Sequence, residues 1–227
     1  MKYIIIGLGY FGSKLASNLT AMGHEVIGID NHGERLDELK DSITTVMKMD
    51  STNVNAIKSL PIDEADAVIV AIGENVGSSI LTASILKNLL VKRVICRAIN
   101  QVHQNILNQI GIEEIVLPLE DSARYVSSML QLKNTLRITE LNDEYAIAEI
   151  LVPAKSQGHP LETINIKERF SLNLIAVKHA PKEGLITSLF RRNFKVDLSY
   201  DTFLPLRDKD IIVLAGKIID IKRFVED

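Results

Sequence analysis

Short apolar runs rich in isoleucine and valine alternate with amphipathic stretches along the first half of the chain. Such runs are typical of parallel strands covered on both faces, and the stretches between them have helical spacing. The pattern predicts six strands and five helices, which make a complete doubly wound parallel sheet. The predicted strands cover 2–7, 25–29, 44–49, 66–72, 92–98 and 114–117. The predicted helices cover 11–22, 33–41, 52–60, 76–90 and 100–110, with Ser51-Thr52 and Asn100 as helix caps.

The pattern changes after Pro118. Residues 121–133 have helical spacing, but the first sheet offers no further strand, so we expect a crossover or dimerisation helix there. Beyond it, alternating strands, a short helix after Gly158 and a terminal helix over 218–225 predict a small α+β module. The fold class is therefore α/β, a Rossmann-like doubly wound sheet followed by that helix and module. The predicted divisions are 1–118 for the Rossmann-like domain, 119–139 for the crossover helix and linker, and 140–227 for the module.

Three glycines, Gly7, Gly9 and Gly12, follow the first predicted strand in G-x-G-x-x-G spacing. Glycine is needed there because side chains would collide with a diphosphate or with the turn itself, and the next helix presents free N–H groups to phosphate. Asp30 ends the second predicted strand, where a carboxylate can accept hydrogen bonds from both ribose hydroxyls. The motif predicts an adenine-nucleotide site. A degenerate Rossmann fold kept for packing is the alternative.

Composition narrows the classes of partner. The chain has 227 residues, 46% of them hydrophobic, and a formal net charge of −3, so no overall field favours nucleic acid. The single cysteine, Cys96, fits a reducing compartment, and its apolar neighbours predict a buried, inert thiol. No signal peptide or membrane-spanning run is predicted, so we expect a cytoplasmic protein.

Six segments together resemble the regulator-of-K⁺-conductance (RCK) family, of the TrkA/KtrA type. They are 6–12, 22–26 leading to Asp30, 50–52, 70–75, 96–98 and 111–118. The resemblance implies an RCK N-terminal domain and an RCK C-terminal (TrkA-C) module. It also implies a nucleotide-sensing regulatory subunit that forms homodimers and an octameric ring. That ring would lie at the inner face of the membrane and gate a potassium transporter or channel subunit of the TrkH/KtrB type.

The resemblance also implies a set of nucleotide-binding residues. The turn would contact phosphate, Asp30 and Asn31 the ribose, residues 50–52 the adenine, and Arg97 a phosphate. For Arg97 a surface salt bridge is the alternative, and for Asp50 a helix cap. The full set is Gly7, Gly9, Tyr10, Phe11, Gly12, Asp30, Asn31, Asp50, Ser51, Thr52, Ala71, Ile72, Gly73, Asn75 and Arg97.

Two positions depart from the family pattern. Many relatives have arginine in the turn where this chain has Tyr10, which removes one phosphate contact. Many also have glutamate after the proline of the sixth strand, where this chain has Leu119, and that weakens the case for a bound divalent metal. ATP or ADP is the favoured ligand, NAD(H) stays open, and no metal ligands are assigned.

Two further segments carry candidate ligand contacts. Ile166, Arg169 and Phe170 lie where some relatives bind cyclic di-AMP, and a short helix packed on its own module is the alternative. The basic run 191–195 could bind an anionic surface, but a solvated loop is favoured.

The residues offer no catalytic constellation. The five histidines are scattered, no Cys/His cluster has zinc spacing, and no P-loop is present. We therefore expect a regulator and not an enzyme, with no catalytic residues assigned. Two alternatives remain, an NAD-dependent oxidoreductase with a small C-terminal domain and a structural subunit with an empty nucleotide cleft.

Overall fold

The chain divides into two compact units, Met1–Asp121 and Ser122–Asp227. The structure is a computed structural model that describes residues 1–131, 134–179 and 194–226. The finer division into 1–118, 119–139 and 140–227 stays a prediction.

The first unit is a six-stranded parallel sheet with strand order β3-β2-β1-β4-β5-β6. This order reverses direction between β1 and β4, as in a doubly wound fold, and it confirms the predicted fold class. The strands are β1 (Lys2–Ile6), β2 (Glu25–Asp30), β3 (Thr45–Lys48), β4 (Ala67–Val70), β5 (Val94–Arg97) and β6 (Glu114–Val116). The helices are α1 (Tyr10–Ala21), α2 (Gly33–Leu39), α3 (Val54–Lys58), α4 (Val76–Asn88) and α5 (Gln101–Gln109), with a 3₁₀ turn at Ile62–Glu64.

Both faces of this sheet are buried, which explains why its strands are apolar without alternation. In β1 the side chains of Ile4 and Ile6 enter the core on one face, and Ile5 enters the core on the other. In β4, Val68 and Ile69 repeat this arrangement.

Two helix starts differ from the prediction. Ser51-Thr52 does not cap α3, because Asn53 accepts the N–H groups of Asn55 and Ala56. Pro118 does not end a strand but begins helix α6 (Pro118–Gln131), where its missing N–H costs nothing. Asn100 caps α5 as predicted, accepting the N–H of His103 at 2.9 Å.

The second unit is built on a five-stranded antiparallel sheet with strand order β10-β9-β11-β8-β7. Its strands are β7 (Thr135–Glu140), β8 (Tyr145–Leu151), β9 (Asn173–His179), β10 (Lys195–Asp197) and β11 (Ile211–Lys217). Its helices, beside α6, are α7 (Leu161–Ile164), α8 (Ile166–Phe170) and α9 (Ile218–Glu226), and a 3₁₀ turn covers Ala154–Ser156. In the part of the chain that the structure describes, no helix is long and apolar enough to cross a membrane.

An edge-to-face aromatic pair anchors the core of this unit. The rings of Phe170 on α8 and Phe224 on α9 lie 5.2 Å apart at 87°, a favourable geometry for two aromatic rings. Helix α9 is amphipathic, because it buries Ile221 and Phe224 while Ile219 is 72% exposed.

We predict that Phe224→Ala destabilises the second unit by about 3–5 kcal/mol, because it removes a buried ring and leaves a cavity. Thermal unfolding, together with amide hydrogen exchange of residues 134–179 and 194–226, measures the loss in the free energy of unfolding. Ile219→Ala on the same helix is the matched control and should change stability by less than about 0.5 kcal/mol. Equal effects of the two substitutions would contradict the packing described for α9.

Candidate nucleotide-binding site

A cleft of about 540 Å³ opens at the carboxyl ends of the first unit's strands. Ligands of doubly wound sheets bind at this edge, where the strand order reverses, and the volume suits a nucleotide. Most of the predicted site residues line the cleft together: Gly7, Gly9, Tyr10, Asp30, Asn31, Asp50, Ser51, Thr52, Ala71, Ile72, Gly73, Asn75 and Arg97.

Phe11 and Gly12 do not line the cleft, although the sequence places them in the same motif. A side chain on Gly12 would overlap the carbonyl oxygen of Gly7, so this glycine permits α1 to pack against the turn. Gly7 has φ of +95°, a conformation that favours glycine. Phe11 packs in the core, and the guanidinium of Arg97 lies 5.6 Å from its ring centre.

Asp30 is only 6% exposed and already holds the turn in place. Its Oδ2 accepts the N–H of Leu8 at 2.7 Å, and its Oδ1 accepts the N–H of His32 at 2.9 Å. The ring Nδ1 of His32 also lies 3.2 Å from Oδ1. An ionised carboxylate has about four acceptor positions, so Asp30 retains capacity for a hydroxyl of a ribose. Asp30 therefore has two functions, one structural and one suited to ligand binding.

Arg97 presents a cation at the end of β5. Its Nε atom is buried without a hydrogen-bond partner, and among the described residues it forms no ion pair, so the structure does not support the salt-bridge alternative. A Cβ on Gly73 would lie 2.5 Å from Arg97 Nη1, so the absence of a side chain there makes room for the guanidinium. The arrangement leaves N–H groups for an anionic ligand.

The segment after β3 forms the far wall of the cleft. Asp50 accepts hydrogen bonds from the hydroxyl of Thr52 at 2.7 Å and from its backbone N–H at 2.9 Å. These bonds, the hydroxyl first, lower the pKa of Asp50 below its ordinary value, so the carboxylate is ionised at neutral pH. Ser51 is buried against Thr82, with 2.9 Å between the hydroxyls. The helix-cap interpretation of Asp50 is wrong, because Asn53 has that role.

Several lining residues were missed by sequence reasoning. They are Ile6, Ile29, His32, Arg35, Met49, Glu74 and Ser78. Arg35 and Glu74 pair at 2.9 Å although they are far apart in the sequence. Only their position in the sequence could have indicated that these two residues line the cleft. Arg35 stands in the first turn of the helix after Asp30, and Glu74 follows Gly73.

Asn75 is the N-cap of α4, and its side chain accepts the N–H of Ser78 at 3.0 Å. Asn75 belongs to the set that the resemblance implies for nucleotide binding, and it lies in the cleft wall. Its contact with a nucleotide stays a prediction.

The second candidate site is more buried than the sequence indicates. Ile166 and Phe170 belong to the core of the second unit, and the guanidinium of Arg169 lies 5.0 Å from the centre of the Phe170 ring. Ile166 lines a separate cleft of about 290 Å³, whereas Arg169 and Phe170 do not. In the basic run, residues 191–193 lie outside the described residues, and Lys195 begins β10.

The described residues offer neither a cluster of metal ligands nor a reactive thiol. Within 1–131, 134–179 and 194–226, no three His, Cys, Asp or Glu side chains are placed to hold a metal ion. Leu119, the residue after Pro118, is 67% exposed. Cys96 is fully buried, as predicted, and burial raises the pKa of its thiol to about 12.

Comparison with known proteins identifies the family. The TrkA-N domain model matches residues 3–118. Over 223 residues the chain is 31% identical to the Ktr system potassium uptake protein C of Bacillus subtilis (strain 168), covering 98% of this chain and 95% of that protein. The chain belongs to the RCK family, of the TrkA/KtrA type.

Further relatives agree with this RCK assignment. The Ktr system potassium uptake protein A of the same strain is 30% identical, again over 98% of this chain and 95% of that protein. The GsuK RCK domain superposes with a TM-score of 0.66 at 16% identity, covering 100% of this chain and 48% of that one. A structure of the GsuK channel bound to NAD gives a TM-score of 0.65 at 16% identity, covering 98% of this chain and 38% of that one. At such identity the likeness shows a shared fold.

We predict that Gly12→Ala destabilises the first unit of this RCK chain by about 1–3 kcal/mol, because the methyl group would overlap the Gly7 carbonyl. Thermal unfolding measures the effect. Gly33→Ala, in the first turn of α2 with only Lys48 within 4 Å, is the control and should be neutral or stabilising. Similar melting temperatures for the two variants would show that α1 does not need this close approach.

We predict that Cys96 resists thiol reagents at pH 8 in the folded protein, because the thiol is buried and almost wholly protonated at that pH. Mass spectrometry after timed labelling measures the rate, which should rise sharply in denaturant. Ser127→Cys, at an exposed position of α6, supplies a fast-reacting control in the same molecule. Equally fast labelling of both thiols would contradict the burial of β5.

Proposed function

We propose that this chain is a nucleotide-sensing regulatory subunit of a potassium uptake system. Family membership supports the potassium part, since the full-length relatives are named as Ktr potassium uptake proteins. The nucleotide part depends on one observation. A carboxylate, Asp30, and an arginine without an ion pair among the described residues, Arg97, line the same cleft beside the glycine turn. These groups suit the ribose and the phosphates of an adenine nucleotide.

The ligand we favour is ATP or ADP, with NAD(H) as the alternative. Asp30 suits the ribose of each of these molecules, so it does not discriminate between them. Leu119 in place of a glutamate makes Mg²⁺ dependence less expected. The NAD bound to GsuK keeps the dinucleotide open for a chain of this fold.

The regulatory mechanism we propose is a population shift. The chain would form homodimers and an octameric ring on the cytoplasmic side of a TrkH/KtrB-type membrane subunit. Nucleotide would favour one shape of the ring, and it can do so only through its different affinities for the two shapes. A tenfold ratio at each site is about 1.4 kcal/mol. Summed over an octamer, this exceeds the roughly 5.5 kcal/mol that moves a two-state equilibrium from 1:99 to 99:1.

We favour a regulator over an NAD-dependent oxidoreductase because the relatives are named as subunits of uptake systems. The two functions differ in a simple assay. An oxidoreductase consumes NADH with a small carbonyl compound, whereas a regulator binds nucleotide without turnover.

We predict that Asp30→Asn weakens nucleotide binding by about 10- to 100-fold, because a hydrogen bond to a charged group contributes about 1.5–3 kcal/mol. Asparagine is preferred to alanine because its amide oxygen can still accept the N–H of Leu8, whereas alanine would leave that buried group unpaired. Calorimetric titration with ADP measures the loss. Asp66→Asn is the matched control, since Asp66 accepts the N–H of Lys2 at the opposite edge of the sheet. Undiminished binding by Asp30→Asn would overturn the site assignment.

A second experiment identifies which nucleotide the cleft binds. Thermal unfolding with ATP, ADP, NAD⁺, NADH or cyclic di-AMP, each with and without Mg²⁺, should show a stabilisation of about 2.7 kcal/mol for a specific ligand at 100 times its Kd. Stabilisation of the second unit alone by cyclic di-AMP would support a site at Ile166, Arg169 and Phe170. A complete lack of response would favour the structural subunit with an empty cleft.

A further inference from the structure

Arg35 bridges two sides of the nucleotide cleft. It stands in the first turn of α2, and its Nη1 lies 3.9 Å from Asp30 Oδ2. Its Nη2 donates to Glu74 Oε1 at 2.9 Å, in the segment between β4 and α4. The guanidinium thus connects the end of β2 with the loop after β4.

The same guanidinium lies over the glycine turn. A Cβ built on Gly9 would be 4.0 Å from Arg35 Nη1, and apart from Gly9 and its two neighbours in the chain no other described residue lies as near to that point. Gly9 is the glycine of the motif whose bare backbone allows a diphosphate to approach. A diphosphate seated on this turn would therefore come within reach of Arg35.

The cleft lining has more carboxylates than guanidinium groups, so a second cation that binds phosphate would reduce the repulsion of a diphosphate. The lining carries three carboxylates, Asp30, Asp50 and Glu74, and two guanidinium groups, Arg35 and Arg97. A diphosphate adds further negative charge to this excess of acid. The turn from Gly7 to Gly12 supplies no cation of its own, because it holds only glycine, leucine, tyrosine and phenylalanine residues.

We propose that Arg35 is a phosphate-binding residue of this cleft, held by Glu74 until a nucleotide diphosphate takes the place of that carboxylate. Arg35 and Arg97 then neutralise the diphosphate together, and Arg35 supplies a cation beside a turn that has none. The proposal depends on the function proposed above, in which the cleft binds an adenine nucleotide.

The exchange is favourable because the resting ion pair is weak. The side chain of Glu74 is 73% exposed and that of Arg35 is 37% exposed, so solvent screens their attraction. A phosphate on the turn offers more than one acceptor oxygen to the guanidinium fork, which is a stronger arrangement. A 2′-phosphate on the ribose is a poorer partner, because Asp30 lies on that side and would repel it.

The first test compares adenine ligands that differ in the number or the position of their phosphates. Calorimetric titration of Arg35→Gln with adenosine, AMP, ADP and NADP⁺ should show a loss of affinity of about tenfold for ADP, which corresponds to about 1.4 kcal/mol. Adenosine affinity should change by less than about twofold, because adenosine lacks the group that Arg35 binds. Arg93→Gln is the matched control: Arg93 also forms an exposed ion pair, with Glu114 at 2.7 Å, but does not line the cleft. It should bind every ligand as the wild type does.

The second test removes the competitor. Glu74→Gln should tighten ADP binding several-fold, because Arg35 no longer exchanges one anion for another. That gain should vanish in the Arg35→Gln background, since a double-mutant cycle isolates the coupling between the two side chains. Glu114→Gln controls for the loss of one negative charge.

Four outcomes would overturn the proposal. Equal losses for adenosine and ADP would place Arg35 on the ribose, and a loss confined to NADP⁺ would assign it to a 2′-phosphate. Unchanged ADP affinity in Arg35→Gln, with the wild type binding ADP normally, would leave the pair a surface salt bridge and the proposed function intact. A wild type that binds no nucleotide would overturn the proposed function and this proposal with it.

Discussion

The close approach of helix α1 to the turn after β1 is the constraint on which the first unit depends. No side chain fits between Gly12 and the carbonyl of Gly7, so the helix begins directly above the strand. This contact places the start of α1 at the carboxyl edge of the sheet, where Gly9 and Tyr10 line the cleft. The glycine that permits the contact does not itself touch the cleft. Replacing Gly12 by alanine would therefore affect the site by disturbing the packing of α1, and not by removing a contact with the ligand.

Asp30 connects this packing to the chemistry of the cleft. Its carboxylate is almost completely buried, and it accepts the N–H of Leu8 from inside the turn. A buried charge is stable only when its hydrogen-bonding capacity is used, and here two backbone donors use part of it. The same side chain also lines the cleft. The end of β2 thus supports the turn and offers an acceptor to a ligand with the same group.

The charged side chains of the cleft come from elements that are distant in the sequence. Arg97 comes from β5, Arg35 from α2 and Glu74 from the loop after β4. Arg97 has room because Gly73 lacks a side chain, and Arg35 crosses the cleft because Glu74 stands opposite. Gly73 thereby determines where the guanidinium of Arg97 lies, and Glu74 determines where that of Arg35 lies.

The amino-acid pattern alone determined the doubly wound sheet, the α+β character of the second unit, the glycine turn and Asp30 at the end of β2. The resemblance to the RCK family supplied most of the other residues of the cleft lining. Apolar strands covered on both faces and glycines at a tight turn are local requirements, and local requirements can be read from neighbouring residues. Of the predicted helix caps, Asn100 is correct. Ser51-Thr52 was predicted in place of Asn53, because several adjacent polar residues can each cap a helix. The tertiary structure alone decided that Gly12 packs and does not line the cleft, that Phe170 is buried against Phe224, and that Arg35 meets Glu74. These are contacts between residues far apart in the chain, and the geometry of such contacts depends on how the elements pack and not on spacing along the sequence.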